Sequence, residues 1–111
     1  MQEEYIHKII SMIVQDLRNN NQGIVVDLIK KSEYSMDWTD HDNWNGGIDY
    51  YKLVFHLKYF DYVRVVDSIE TYKSAIKNSL DSFYCDESKI IAGVEIVAKI
   101  DLESGLLLFR L

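Results

Sequence analysis

The chain has 111 residues, of which 48% are hydrophobic and 27% charged, with no proline and a formal net charge of −6. This length suits one domain built on a single core, and the composition excludes a disordered chain. The acidic balance disfavours nucleic-acid binding through phosphates, and no apolar run reaches the roughly 18 residues that a membrane span requires.

The N-terminus begins Met-Gln-Glu-Glu, with neither the basic start nor the apolar stretch of a secretory signal, which predicts a cytoplasmic protein. Residues 2–18 predict an amphipathic helix, because Tyr5, Ile6, Ile9, Ile10, Ile13 and Leu17 recur at spacings of three and four. Glu3 and Glu4 suit its N-terminal end and Arg18 its C-terminal end, and the run Asn19-Asn20-Asn21-Gln22-Gly23 stops it. Residues 24–31 are ambiguous. Their β-branched side chains favour a strand, while Ile24, Val25, Leu28 and Ile29 fit one helix face; a short second helix, antiparallel to the first, is the preferred reading.

The segment from Ser32 to Gly47 reads as a polar loop that holds both tryptophans, Trp38 and Trp44. Residues 32–49 contain Glu33, Asp37, Asp40, Asp42 and Asp49 without a Lys or Arg. The local balance is −5, against −1 for the other residues with their 13 acidic and 12 basic groups, so the excess charge is concentrated here. Gly46 and Gly47 would let the backbone turn into the next strand.

That strand is predicted from Asp49 to Tyr59, where Tyr51, Leu53, Phe55, Leu57 and Tyr59 face one way and Tyr50, Lys52, Val54, His56 and Lys58 the other. A turn near Phe60-Asp61 is read as interrupting it before Tyr62-Val63-Arg64-Val65. A helix follows, marked by Val66, Ile69, Ile76, Leu80 and Phe83, with Asp67 and Glu70 spaced like a capping box. The single Cys85 can form neither an internal disulfide nor a cysteine-based zinc site; it reads as a small buried hydrophobe, with a reactive thiol as the other reading. After a loop at Asp86-Glu87-Ser88, alternation from Ile90 to Leu102 predicts a strand, and Glu103-Ser104-Gly105 a turn into Leu106–Leu111. The expected fold is α+β: a single domain over residues 1–111, with a small mixed or antiparallel sheet of three to four strands against two to three helices. The strand at Leu106–Leu111 is apolar on both faces, so it must be buried or paired with another chain, which would allow a homodimer.

Asp40, His41 and Asp42 invite a metal or hydrolase reading. Calcium-loop registers fail, however. With Gly46 at the glycine position, Lys52 falls where a bidentate Glu belongs, and a shift by one residue puts Trp44 among the ligands. The nuclease-like Glu87-Ser88-Lys89 is a three-residue match, and neither a phosphate-binding glycine loop nor a Gly-x-Ser-x-Gly elbow is present. No cofactor or metal is therefore expected. His7 and His56 read as surface groups on the first helix and the exposed strand face. The tryptophans have two readings, as anchors folding back over the core or as exposed interface residues.

The run His41-Asp42-Asn43-Trp44-Asn45-Gly46-Gly47, followed by Tyr50-Tyr51-Lys52-Leu53, resembles a segment of small uncharacterised domains in bacterial conflict and antiphage-defence proteins, where it precedes a β-α-β unit. The resemblance spans about residues 37–100 and implies no catalytic residue. No effector domain follows it here, which points to a stand-alone binder or a fragment of a larger protein. The sequence thus predicts a non-enzymatic, acidic immunity or antitoxin-like module that occludes a basic toxin site. Its partner-binding residues would be Asp37, Trp38, Asp40, His41, Asp42, Trp44, Asp49 and Tyr50. A sensor or oligomerising adaptor domain of an antiphage-defence protein and a metal-dependent hydrolase are the alternatives.

Overall fold

The structure, a computed structural model, describes residues 2–44, 47–83 and 89–99. Cys85, the loop at residues 86–88, and the predicted turn and apolar strand at residues 103–111 lie outside the described residues, as do Asn45 and Gly46. Helices α1 (Gln2–Asn19) and α2 (Gly23–Lys31) come first, followed by strands β1 (Glu33–Asp42) and β2 (Ile48–Leu57). Helix α3 (Tyr59–Val65) leads through a 3-10 turn (Val66–Ser68) into α4 (Ile69–Phe83), and β3 (Lys89–Ala98) completes the described chain. The sheet order is β1-β2-β3; β1 runs antiparallel to β2, and β3 runs parallel to it. The fold is α+β, with a mixed three-stranded sheet among the described residues.

Helix α1 ends as its asparagines predict. Asn21 takes the left-handed backbone (φ 59°), and the Gln22 N–H donates to the Leu17 carbonyl at 2.8 Å, closing a Schellman-type cap. Residues 24–31 are helical, so the apolar face of Val25, Val26, Leu28 and Ile29 prevails over β-branched propensity by burying itself. The core joins these residues and Ile6, Ile9, Ile10, Ile13 and Leu17 of α1 to Leu53, Phe55 and Leu57 of β2. Ile76 and Leu80 of α4 and Ile91, Val94 and Ile96 of β3 complete it.

Three readings of the sequence are corrected. The polar loop at Ser32–Gly47 is largely a strand: Glu33–Asp42 pairs with β2 along its length, and only the residues from Asn43 onward form the connection. Tyr62–Val65 is helical rather than a continuation of the sheet. The backbone amide of Lys99 donates to the Leu57 carbonyl at the end of the parallel pairing, and α3 starts two residues after Leu57. Its Tyr62 and Val65 then pack on the core together with Ile69 and Tyr72. Val66, read as the first core position of the following helix, is instead exposed in the 3-10 turn.

Candidate functional site

Residues on the two antiparallel strands that stand opposite each other share a face of the sheet. Tyr34, Met36 and Trp38 of β1 stand opposite Phe55, Leu53 and Tyr51, and so lie on the face that carries the helices. Glu33, Ser35 and Asp37 stand opposite His56, Val54 and Lys52 on the open face. The register then shifts between Trp38 and Asp40, leaving Thr39 as the extra residue of a β-bulge. The Thr39 hydroxyl donates to the Tyr50 carbonyl at 3.0 Å, holding the bulge against β2.

The bulge decides which groups meet. In an unbroken strand Trp38 and His41, three apart, would face opposite ways. Beyond the extra residue, His41 stands opposite Asp49, on the same face as Trp38 and Tyr51. Asp49 consequently accepts from two side chains: the Trp38 indole Nε1–H at 3.3 Å and His41 Nδ1 at 2.5 Å. Because a carboxylate only accepts, Nδ1 carries the proton, and Nε2 is the acceptor of a neutral imidazole or the second donor of a charged one. The ring passes close to Gly47, whose φ of +76° supplies the turn predicted for the glycine pair. The hydrogen bond that His41 donates to Asp49 raises its pKa above the ordinary value of 6.5 against the opposing pull of burial, and the charges of Asp49 and Asp40 and a hydrogen bond with Asn43 act the same way as the first.

The remaining predicted residues spread around this cluster. Asp40 stands opposite Tyr50, on the open face with Asp37, and its Oδ1 accepts from the His41 backbone amide. Asp42 accepts the Trp44 backbone amide at 2.9 Å in an Asx-type turn. Both tryptophans project from the hairpin: Trp44 is 95% exposed and Trp38 59%. The reading that they fold back over the core is therefore overturned for both, since no described residue between Asp37 and Tyr51 belongs to the core. The structure brings Trp38, His41 and Asp49 together, sets Asp37, Asp40 and Tyr50 on the other face, and leaves Trp44 at the tip.

Sequence reasoning missed a second polar group, on the open face. Ser35 Oγ donates to Asp37 at 3.1 Å and lies 3.0 Å from His56 Nε2. With the hydroxyl proton committed to Asp37, Nε2–H of His56 is the donor, so the chain runs histidine to serine to carboxylate. That order orients Asp37 and makes His56 a donor to the serine and not its base. Strand alternation places Ser35, Asp37 and His56 on one face; the pairing register, which the sequence does not show, brings them into contact. Lys99 pairs with Glu33 at 2.8 Å and holds its carboxyl below the ordinary carboxylate range, and Lys52 approaches Glu95 at 3.5 Å.

Chemically, the arm can orient an imidazole, accept cations on exposed carboxylates and offer two indoles to a partner. Among the described residues, no three His, Cys, Asp or Glu side chains are placed to hold one metal ion, and no helix is long and apolar enough to cross a membrane. No protein-family model matches the chain, and neither a curated protein nor a solved structure does.

Proposed function

We propose that the chain is a protein-binding module that presents the outer half of its β1–β2 hairpin to a basic partner. One observation carries the reading: two exposed tryptophans stand on an arm where Asp40 and Asp42 flank them and no Lys or Arg occurs between residues 32 and 49. A freely exposed indole contributes little to the stability of its own fold, while Trp is a favoured anchor at interfaces and surrounding carboxylates steer a cationic partner. Asp49 belongs to the architecture of this site, because its oxygen is bonded to His41 and Trp38; Asp40, Asp42 and Trp44 are the contact residues. The resemblance of His41–Gly47 to segments of bacterial conflict proteins supports the concrete form of the reading, an immunity or antitoxin-like protein that occludes a basic toxin site.

The test is affinity capture from the native cell with the wild-type chain, Trp44→Ala and the double variant Asp40→Lys/Asp42→Lys. A basic protein retained by the wild type and lost with both variants is the expected result. Its association rate should fall at least about tenfold between low and high salt, as steered association does. Capture indifferent to salt and to all three substitutions overturns the reading.

A further inference from the structure

The outer edge of β1 has the features of a docking strand. Among the described residues β1 pairs with β2 alone, and none of them pairs with the backbone groups on its other side. The bulge at Thr39 limits the regular part of this edge to Glu33–Trp38. Tyr34 and Met36 face the helices yet are only half-buried, because they stand at the margin of the core. Beside them a groove of about 370 Å³ opens between α1, α2 and the start of β1, lined by Ile10, Val14 and Ile29 with Ser11, Ser32 and Tyr34, and with Lys30 at its rim. The Tyr34 hydroxyl shares a 2.7 Å hydrogen bond with His7 Nδ1, which ties the strand to α1 at this point.

From this edge we infer that β1 accepts an extended segment of the basic partner as an added strand, its apolar side chains on the groove side and its Lys or Arg side chains on the open face. The inference rests on the reading of the hairpin as a protein-binding surface and specifies how the partner is held. Alternation of side chains along an added strand gives two rows. One row would lie beside Tyr34, Met36 and Trp38, with one side chain in the groove, and the other beside Glu33 and Asp37. Lys30 beside the groove disfavours a cation in the first row, whereas the exposed Asp37 favours one in the second, where Glu33 is already paired with Lys99. A second copy of this chain is the less favoured occupant, since pairing the regular segments would bring Glu33 and Asp37 of both copies onto one short edge.

The probes are three heptapeptides of equal composition: one alternating lysine with valine, one with all its lysines before its valines, and the alternating peptide with its central backbone nitrogens methylated. Binding is read from the amide hydrogen exchange and NMR shifts of Glu33–Trp38. The alternating peptide should slow exchange in that segment, bind at least about tenfold more tightly than either control, and lose several-fold in affinity with Asp37→Lys. If all three peptides bind alike and salt alone weakens them, strand addition is wrong and the acidic binding surface stands. If no peptide binds while capture of a partner still depends on Trp44, the inference falls and the function stands. Protection of the same amides in the free protein, with a doubled mass, would show self-pairing and overturn the choice of occupant. If neither peptide binding nor capture depends on the acidic residues or Trp44, both fall.

Discussion

The two halves of β2 share one strand but not one environment. Leu53, Phe55 and Leu57 are buried beneath the helices, while Ile48, Asp49 and Tyr50 continue past them beside an exposed histidine and tryptophan. The inner half is held by apolar area, which needs no particular partner geometry beyond close packing. The outer half is held by its ladder, a bulge and the bonds to Asp49. Core packing and the exposed indoles thus lie at opposite ends of the same hairpin, and each end can be changed with little cost to the other.

The largest effect expected from that separation is at Phe55, whose side chain is fully buried. Phe55→Ala should cost about 3–5 kcal/mol in denaturant unfolding, through lost burial and a residual cavity. A loss comparable to that of a surface substitution would contradict the position of the core. Deletion of Thr39 comes next, at about 1–3 kcal/mol. It would remove the bulge and the Thr39 bond to Tyr50 while keeping His41 opposite Asp49 and on the face of Trp38, so the histidine titration followed by NMR should stay raised. A titration that fell to the ordinary value would mean that Thr39 is not the extra residue of the ladder.

Asp49→Asn sharpens the comparison without touching the ladder. The His41 pKa is raised in the folded protein, so the stability from the pair is fully present below the ordinary histidine value and is lost as pH rises through the folded one. The difference in unfolding free energy between wild type and Asp49→Asn should therefore be greatest on the acid side of that window and vanish above it. A difference that grows with pH would reverse the assignment. The smallest effect on stability belongs to Trp44→Ala, within about 0.5 kcal/mol, because the side chain is exposed. A larger loss would mean that Trp44 supports the arm as well as its partner.

These contrasts were unequally legible in the sequence. The alternation of Tyr51, Leu53, Phe55 and Leu57 marks β2 because one row is apolar and the other mostly polar. The same period exists in β1, at Tyr34, Met36 and Trp38, but Asp37 between them and Asp40 and Asp42 beyond lower its strand propensity, and the bulge breaks the pattern after three repeats. Helix α3 left a signal as well: Tyr62, Val65, Ile69, Tyr72 and Ile76 are spaced by three and four, continuing the α4 face backwards. Its valines and aromatics, taken alone, favour a strand. For the site, the sequence shows where the charge lies and which residue types are present. It does not show that Asp49 is bonded to two neighbours or that His56 meets Ser35, because both depend on the strand register.

The placement of the indoles has a spectroscopic consequence. Both tryptophans of the chain stand on the arm, clear of the core, so the intrinsic emission of the native protein should already resemble that of water-exposed indole. Unfolding of the helical layer would then be nearly silent at tryptophan wavelengths and visible in circular dichroism. A partner that covers the hairpin would do the reverse, shifting the emission to the blue while leaving the helices unchanged. The molecule thus carries a built-in optical label on the surface assigned to recognition.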